Sequence, residues 1–183
     1  SSGNLSLQAQ GNAGQLRVNH TVQAHGGSVT LSASTAATLT ANVSNTTGQI
    51  RVDAAGGDLQ LQAQVSTDGY IELDASRDVL QSDGQAVLAV GTSLAGAVGI
   101  TAGRNLLLSR VEASSSAVLE ATTGWIHDGL SGTLANSSSV AVAENLIVAD
   151  GNAVLRAGAG IGAADPSQHP GLVQQRLRRC FPQ

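Results

Sequence analysis

The sequence predicts an all-β fold, a parallel β-solenoid with three short strands in each coil of about 21 residues. Three observations predict it. The segments Gly27–Ala33 (GSVTLSA), Gly48–Ala54 (GQIRVDA) and Gly69–Ala75 (GYIELDA) follow one another in steps of 21 residues. Each alternates apolar and polar positions, the period of a half-buried strand and not of a helix. Aromatic residues make up only 2% of the chain against 42% hydrophobic residues, so the core has to be built from Val, Leu, Ile and Ala.

The first of three apolar series is carried by those segments. A second runs through Leu39, Leu59, Val79 and Ile100, with Gly57–Ala63 (GDLQLQA) as its clearest member. A third runs through Val22, Val43, Val65, Val87, Leu108 and Leu130. Three apolar stations per period are what a three-sided coil requires. One coil cannot bury its apolar face alone, but stacked coils place like residues above one another and close a continuous core. Ala33, Ala54, Ala63 and Ala75 fit as small residues where the chain turns a corner. Beyond residue 90 the register blurs, with Ile126 and Leu146, or Val140 and Ile161, as candidate steps. Ser114–Ser116 and Ser137–Ser139 read as loops. Asp-Gly pairs at 68, 83, 128 and 150 are turn signals. The 22 glycines imply many tight turns, because glycine tolerates positive φ without a Cβ clash. A sandwich of short strands is the other all-β arrangement, but it gives no reason for the sequence to repeat at a fixed period.

The repeat region is expected to span residues 1–164. Residues 165–183 form a non-repeat tail, in which 172–179 has the pattern of a short amphipathic helix. The chain enters a repeat at once and has no Met, so it reads as a piece of something longer.

Composition excludes several classes of function. The net charge is −4, all nine basic residues are Arg, and three of them (Arg176, Arg178, Arg179) lie in the tail. A nucleic-acid surface needs clustered Lys or Arg on one face, which is not seen here. No apolar run is long enough to cross a membrane as a helix. Cys180 is the one cysteine and cannot form an internal disulfide. No cofactor motif is present: the calcium-binding nonapeptide is missing, and the glycine-rich stretch 158–162 lacks a following helix or Lys.

The repeats resemble those of filamentous haemagglutinin-type bacterial exoproteins. The likeness rests on Gly57–Ala63, Gly69–Ala75 and Ile100–Leu108 (ITAGRNLLL), while Ala153–Pro166 resembles a segment of giant repetitive adhesins. It covers about residues 3–166. The resemblance implies a right-handed parallel β-helix that is secreted or held on a bacterial cell surface. It also implies attachment to a host cell-surface or matrix protein or glycan, with flanking repeats of the same chain as further partners.

Parallel β-helices also host polysaccharide lyases and hydrolases, which need carboxylates converging on one face. The candidates are Asp53 and Asp74, at matching outward positions of successive repeats. Arg51 and Arg77 are the nearby bases, and Glu72 stands above Arg51 as a candidate salt bridge. Solvated decoration of an outer face accounts for the same residues. His20, His25, His127 and His169 show no metal-binding spacing. Trp125 and His127 are two apart, so both face one side of a strand and form a candidate surface contact for a sugar ring. Carboxylates so scattered favour a non-enzymatic role, for which the resemblance implies an adhesive shaft, with a glycan-active enzyme and a plain spacer as alternatives.

Overall fold

A computed structural model describes residues 3–91, 96–128 and 146–161. The expectations placed on residues 130, 137–140 and 162–183, His169, Cys180 and the basic tail among them, lie outside the described residues. Among the described residues there are twenty strands and no helix. The first turn holds β1 (Leu5–Ala9), β2 (Leu16–Val18) and β3 (Val22–Ala24). The second holds β4 (Ser28–Ala33), β5 (Ala37–Leu39) and β6 (Val43–Asn45), and the third β7 (Gln49–Ala54), β8 (Leu59–Leu61) and β9 (Val65–Thr67). Next come β10 (Ile71–Ala75), β11 (Val79–Gln81) and β12 (Ala86–Ala89), then β13 (Ala97–Ala102), β14 (Leu106–Leu108) and β15 (Arg110–Ala113). The chain continues through β16 (Ser116–Ala121), β17 (Trp125–Asp128), β18 (Leu146–Val148), β19 (Ala153–Ala157) and β20 (Gly160–Ile161).

Every third strand joins the same sheet, and every pairing is parallel. Sheet A runs β1-β4-β7-β10-β13-β16-β19, sheet B runs β2-β5-β8-β11-β14-β17-β20, and sheet C runs β3-β6-β9-β12-β15-β18. This is a β-solenoid of roughly 22 residues per turn. Pairing is in register, so each inward position becomes a column. In sheet A, Val29, Ile50, Ile71 and Val98 stack, and beside them stand Leu31, Val52, Leu73 and Ile100. Ala9, Ala33, Ala54, Ala75, Ala102, Ala121 and Ala157 form an unbroken alanine ladder at the corner that leaves this sheet. Sheet C contributes Val22, Val43, Val65, Val87, Val111 and Leu146. Leu31, Val52, Leu73 and Val111 have no exposed surface at all. Burying each such side chain stabilises the coil by roughly 1.5–3 kcal/mol.

The second and third series need correction. Leu39 pairs with Leu61, while Leu59 pairs with Ala37 and Val79. Ile100 lies in sheet A, between Leu73 and Leu119; the partner of Val79 in the next turn is Leu106. In sheet C the partner of Val87 is Val111 and not Leu108, which lies in sheet B. Ile126 and Leu146 are in different sheets. Ile161 pairs with Ile126 rather than with residue 140. The cause is uneven turn length. Ile71 stacks on Val98, 27 residues on, where the two steps before it are 21, and Ala117 stacks on Ala153, 36 residues on. Counting at a fixed period across such turns lands on the wrong side of the triangle. Ser114 and Ser115 do form a bend, but Ser116 opens β16.

The buried polar residues sit near the corners. Asn45 Oδ1 accepts from the Gly26 N–H at 3.0 Å, and its Nδ2 donates to the Gly27 and Gln49 carbonyls. One turn later Thr67 takes the matching place, donating to the Gly48 carbonyl at 2.6 Å and accepting from the Gly69 N–H. Gln81 ties down the long turn between Ile71 and Val98. Its Nε2 donates to the carbonyls of Gln85 and Arg110, and its Oε1 accepts from the Ser109 N–H. These bonds satisfy backbone groups that a bend in the coil would otherwise leave buried without partners.

Glycine has a second reason besides turn geometry. Positive φ occurs at Gly11, Gly26, Gly27 and Gly84. Gly48 and Gly69 lack it, yet a Cβ on Gly48 would fall onto the Gly27 carbonyl oxygen, and one on Gly69 onto the Gly48 carbonyl. The periodic glycines therefore mark where one turn lies directly on the backbone of the turn before.

Candidate functional site

With the inward positions filled by aliphatic columns, chemistry is left to the outward ones. On sheet A the central outward column reads Ser6, Thr30, Arg51, Glu72, Gly99, Val118 and Val154. The neighbouring column reads Gln8, Ser32, Asp53, Asp74, Thr101, Glu120 and Arg156. The register brings Asp53 beside Asp74 and Arg51 beside Glu72, as their spacing predicts. The Arg51 guanidinium reaches both carboxylates of the next turn, Glu72 at 3.0 Å and Asp74 at 3.4 Å. Arg77 is not part of this group; its ion-pair partner is Asp58 at 3.4 Å.

Burial pushes the Asp74 carboxyl above its ordinary range, and the Glu72 charge adds to that. Arg51 opposes the rise, Asp53 reinforces it, and a Thr101 hydrogen bond lowers it again. Tyr70, 37% exposed, is raised by burial and then by the charges of Glu72 and Asp74. Its ring reaches over the next turn, where the hydroxyl lies in the space that a Cβ on Gly99 would need.

Trp125 and His127 lie on β17 with their rings stacked, centroids 5.9 Å apart and planes 19° from parallel. Both side chains face outward, because Ile126 between them is in the core. The indole is 37% exposed, and its benzo edge covers Gly160 of the next turn. Leu107 precedes His127 in the outward column and Leu80 precedes Leu107, so this part of sheet B is apolar where the earlier turns carry Arg17, Thr38 and Gln60. His25 is elsewhere, within hydrogen-bond distance of the Thr46 hydroxyl. Among the described residues, no group of three His, Cys, Asp or Glu side chains is placed to hold a metal ion. Among them, too, no helix is long and apolar enough to cross a membrane.

One cluster escapes a reading by motif. Asp58, Asp78 and Asn105 occupy the corner before β8, β11 and β14. Asp58 Oδ1 accepts from the Asp78 N–H at 3.2 Å, and Asp78 Oδ1 accepts from the Asn105 N–H at 2.9 Å. Asn105 Oδ1 then accepts from the Trp125 N–H at 3.0 Å. Arg104 closes on Asp78 at 2.5 Å and approaches Asp58 at 3.9 Å. Burial raises Asp78, but its bonds to Asn105 and Arg104 outweigh that and hold the carboxyl below its ordinary value. The 20-residue step from Asp58 to Asp78 is visible in the sequence. The 27-residue step to Asn105 is hidden by the long turn.

What the carboxylates do is therefore mostly to tie one turn to the next. Arg156 beside Glu120 repeats the pattern at 3.7 Å. Compared with known proteins, the chain matches no family model, no curated protein and no solved structure.

Proposed function

We propose that the chain is a structural and adhesive shaft segment of a large secreted or surface-exposed bacterial exoprotein. In this reading it attaches to a host cell-surface or matrix protein or glycan. The observation that carries the reading is the contrast between the two faces of each strand. Inward columns are largely aliphatic from turn to turn, as in the sheet C valines, while outward columns vary along the stack, as in Gln23, Ser44, Ser66, Leu88 and Glu112 of the same sheet. A stack built that way is held by what is inside and leaves the outside free to vary. The resemblance of the repeats to filamentous haemagglutinin-type exoproteins supports the same reading.

The glycan-active alternative draws on Asp53, Glu72 and Asp74. It is less well supported, because Arg51 already pairs with two of these carboxylates. The half-exposed rings of Trp125 and His127 are the contact the adhesive reading favours, since a sugar ring can stack its C–H face on flat aromatic surface.

The test is binding of the purified 183-residue chain to cultured host cells, to immobilised matrix proteins and to a glycan array. Saturable binding that Trp125→Ala weakens at least fivefold, with the fold intact by circular dichroism, is the expected result. Absence of binding to all three surfaces would overturn the adhesive part and leave a spacer. Release of reducing or unsaturated sugar from any arrayed glycan would favour the enzyme instead.

A further inference from the structure

We draw no further inference here: the strongest candidate, the apolar face of the first turn, on which Leu5, Leu7, Leu16 and Val22 stand at the head of the core columns, carries nothing, because nothing in the structure shows what covers it.

Discussion

The Asp78 carboxylate receives the backbone N–H of Asn105, 27 residues further along the chain and one turn above it, at 2.9 Å. The same carboxylate holds the Asn105 side-chain amide at 3.1 Å and the Arg104 guanidinium at 2.5 Å. One side chain thus joins two turns at the point where the repeat is interrupted. Its folded-state pKa lies below the ordinary 3.8, so its contribution is fully present above that value. The contribution is lost as the pH falls through the lower folded pKa. Asp78→Asn is expected to cost about 1.5 kcal/mol at neutral pH, the size of a hydrogen-bond set to a charged group. Its melting temperature should also fall less steeply than the parent's below pH 3.8. Parallel acid titrations of the two proteins that superimpose would refute this.

Asp74 has the opposite sign. Its pKa is raised, so the folded state holds that proton more tightly than the unfolded chain does. The carboxylate opposes folding once it ionises, and the penalty disappears as the pH falls toward the unfolded value. Asp74→Asn is expected to be neutral or slightly stabilising at neutral pH, and the difference from the parent should vanish in acid. A thermal melt at neutral pH showing clear destabilisation by Asp74→Asn would contradict the assignment.

Gly48 tests the close stacking of turns. A Cβ there meets the Gly27 carbonyl, which is backbone and cannot swing aside. Gly48→Ala should cost about 1–3 kcal/mol, the range for forcing extra volume into a packed site. Gly3→Ala is the control, since nothing lies within 4 Å of its Cβ position. Urea unfolding midpoints compare the two, and equal midpoints would mean that the turns yield more easily than the geometry implies.

Leu73 lies fully buried between Val52 and Ile100 in sheet A. Leu73→Ala should cost about 2–5 kcal/mol, the transfer term plus a residual cavity. Leu7, in the same column but 38% exposed in the first turn, should cost clearly less when shortened to Ala. Hydrogen exchange of the sheet A amides is the sharper readout. Leu73→Ala should lower protection in the turns on both sides of it, and Leu7→Ala in the first two turns alone.

Arg51 tests the outer face. Its side chain is 46% exposed and both partners are 27% exposed, so solvent screens the pairs. Arg51→Ala should change stability by no more than about 1 kcal/mol. Part of that change should disappear in molar salt. A larger, salt-independent loss would point to packing of the arginine stem and not to charge.

Much of this fold is legible in the sequence. The steps from Val29 to Ile50 to Ile71 follow from alternation and period alone, and so do Val22, Val43, Val65 and Val87. Arg51 beside Glu72 and Asp53 beside Asp74 follow once the period is known. The reading fails where a turn changes length. Leu108 and Ile100 are as apolar as Val111 and Leu106, and nothing local distinguishes which sheet each joins. The candidate site was legible only as a side of a strand. That Trp125 and His127 share a face follows from their two-residue spacing. That the indole covers Gly160 does not, because 35 residues of chain separate them.

By itself the sequence determined that this chain is a coil of short strands filled with aliphatic side chains. Local alternation decides which residues point inward, and a repeated period decides that like will stack on like. The tertiary structure alone decided which turns are in contact after the long steps from Ile71 to Val98 and from Ala117 to Ala153. It also decided where glycine is required by a neighbouring backbone, as at Gly48, and which carboxylates are raised or lowered, as at Asp74 and Asp78. Those features depend on distances between separate turns, and the sequence holds such distances only as long as the turns keep one length.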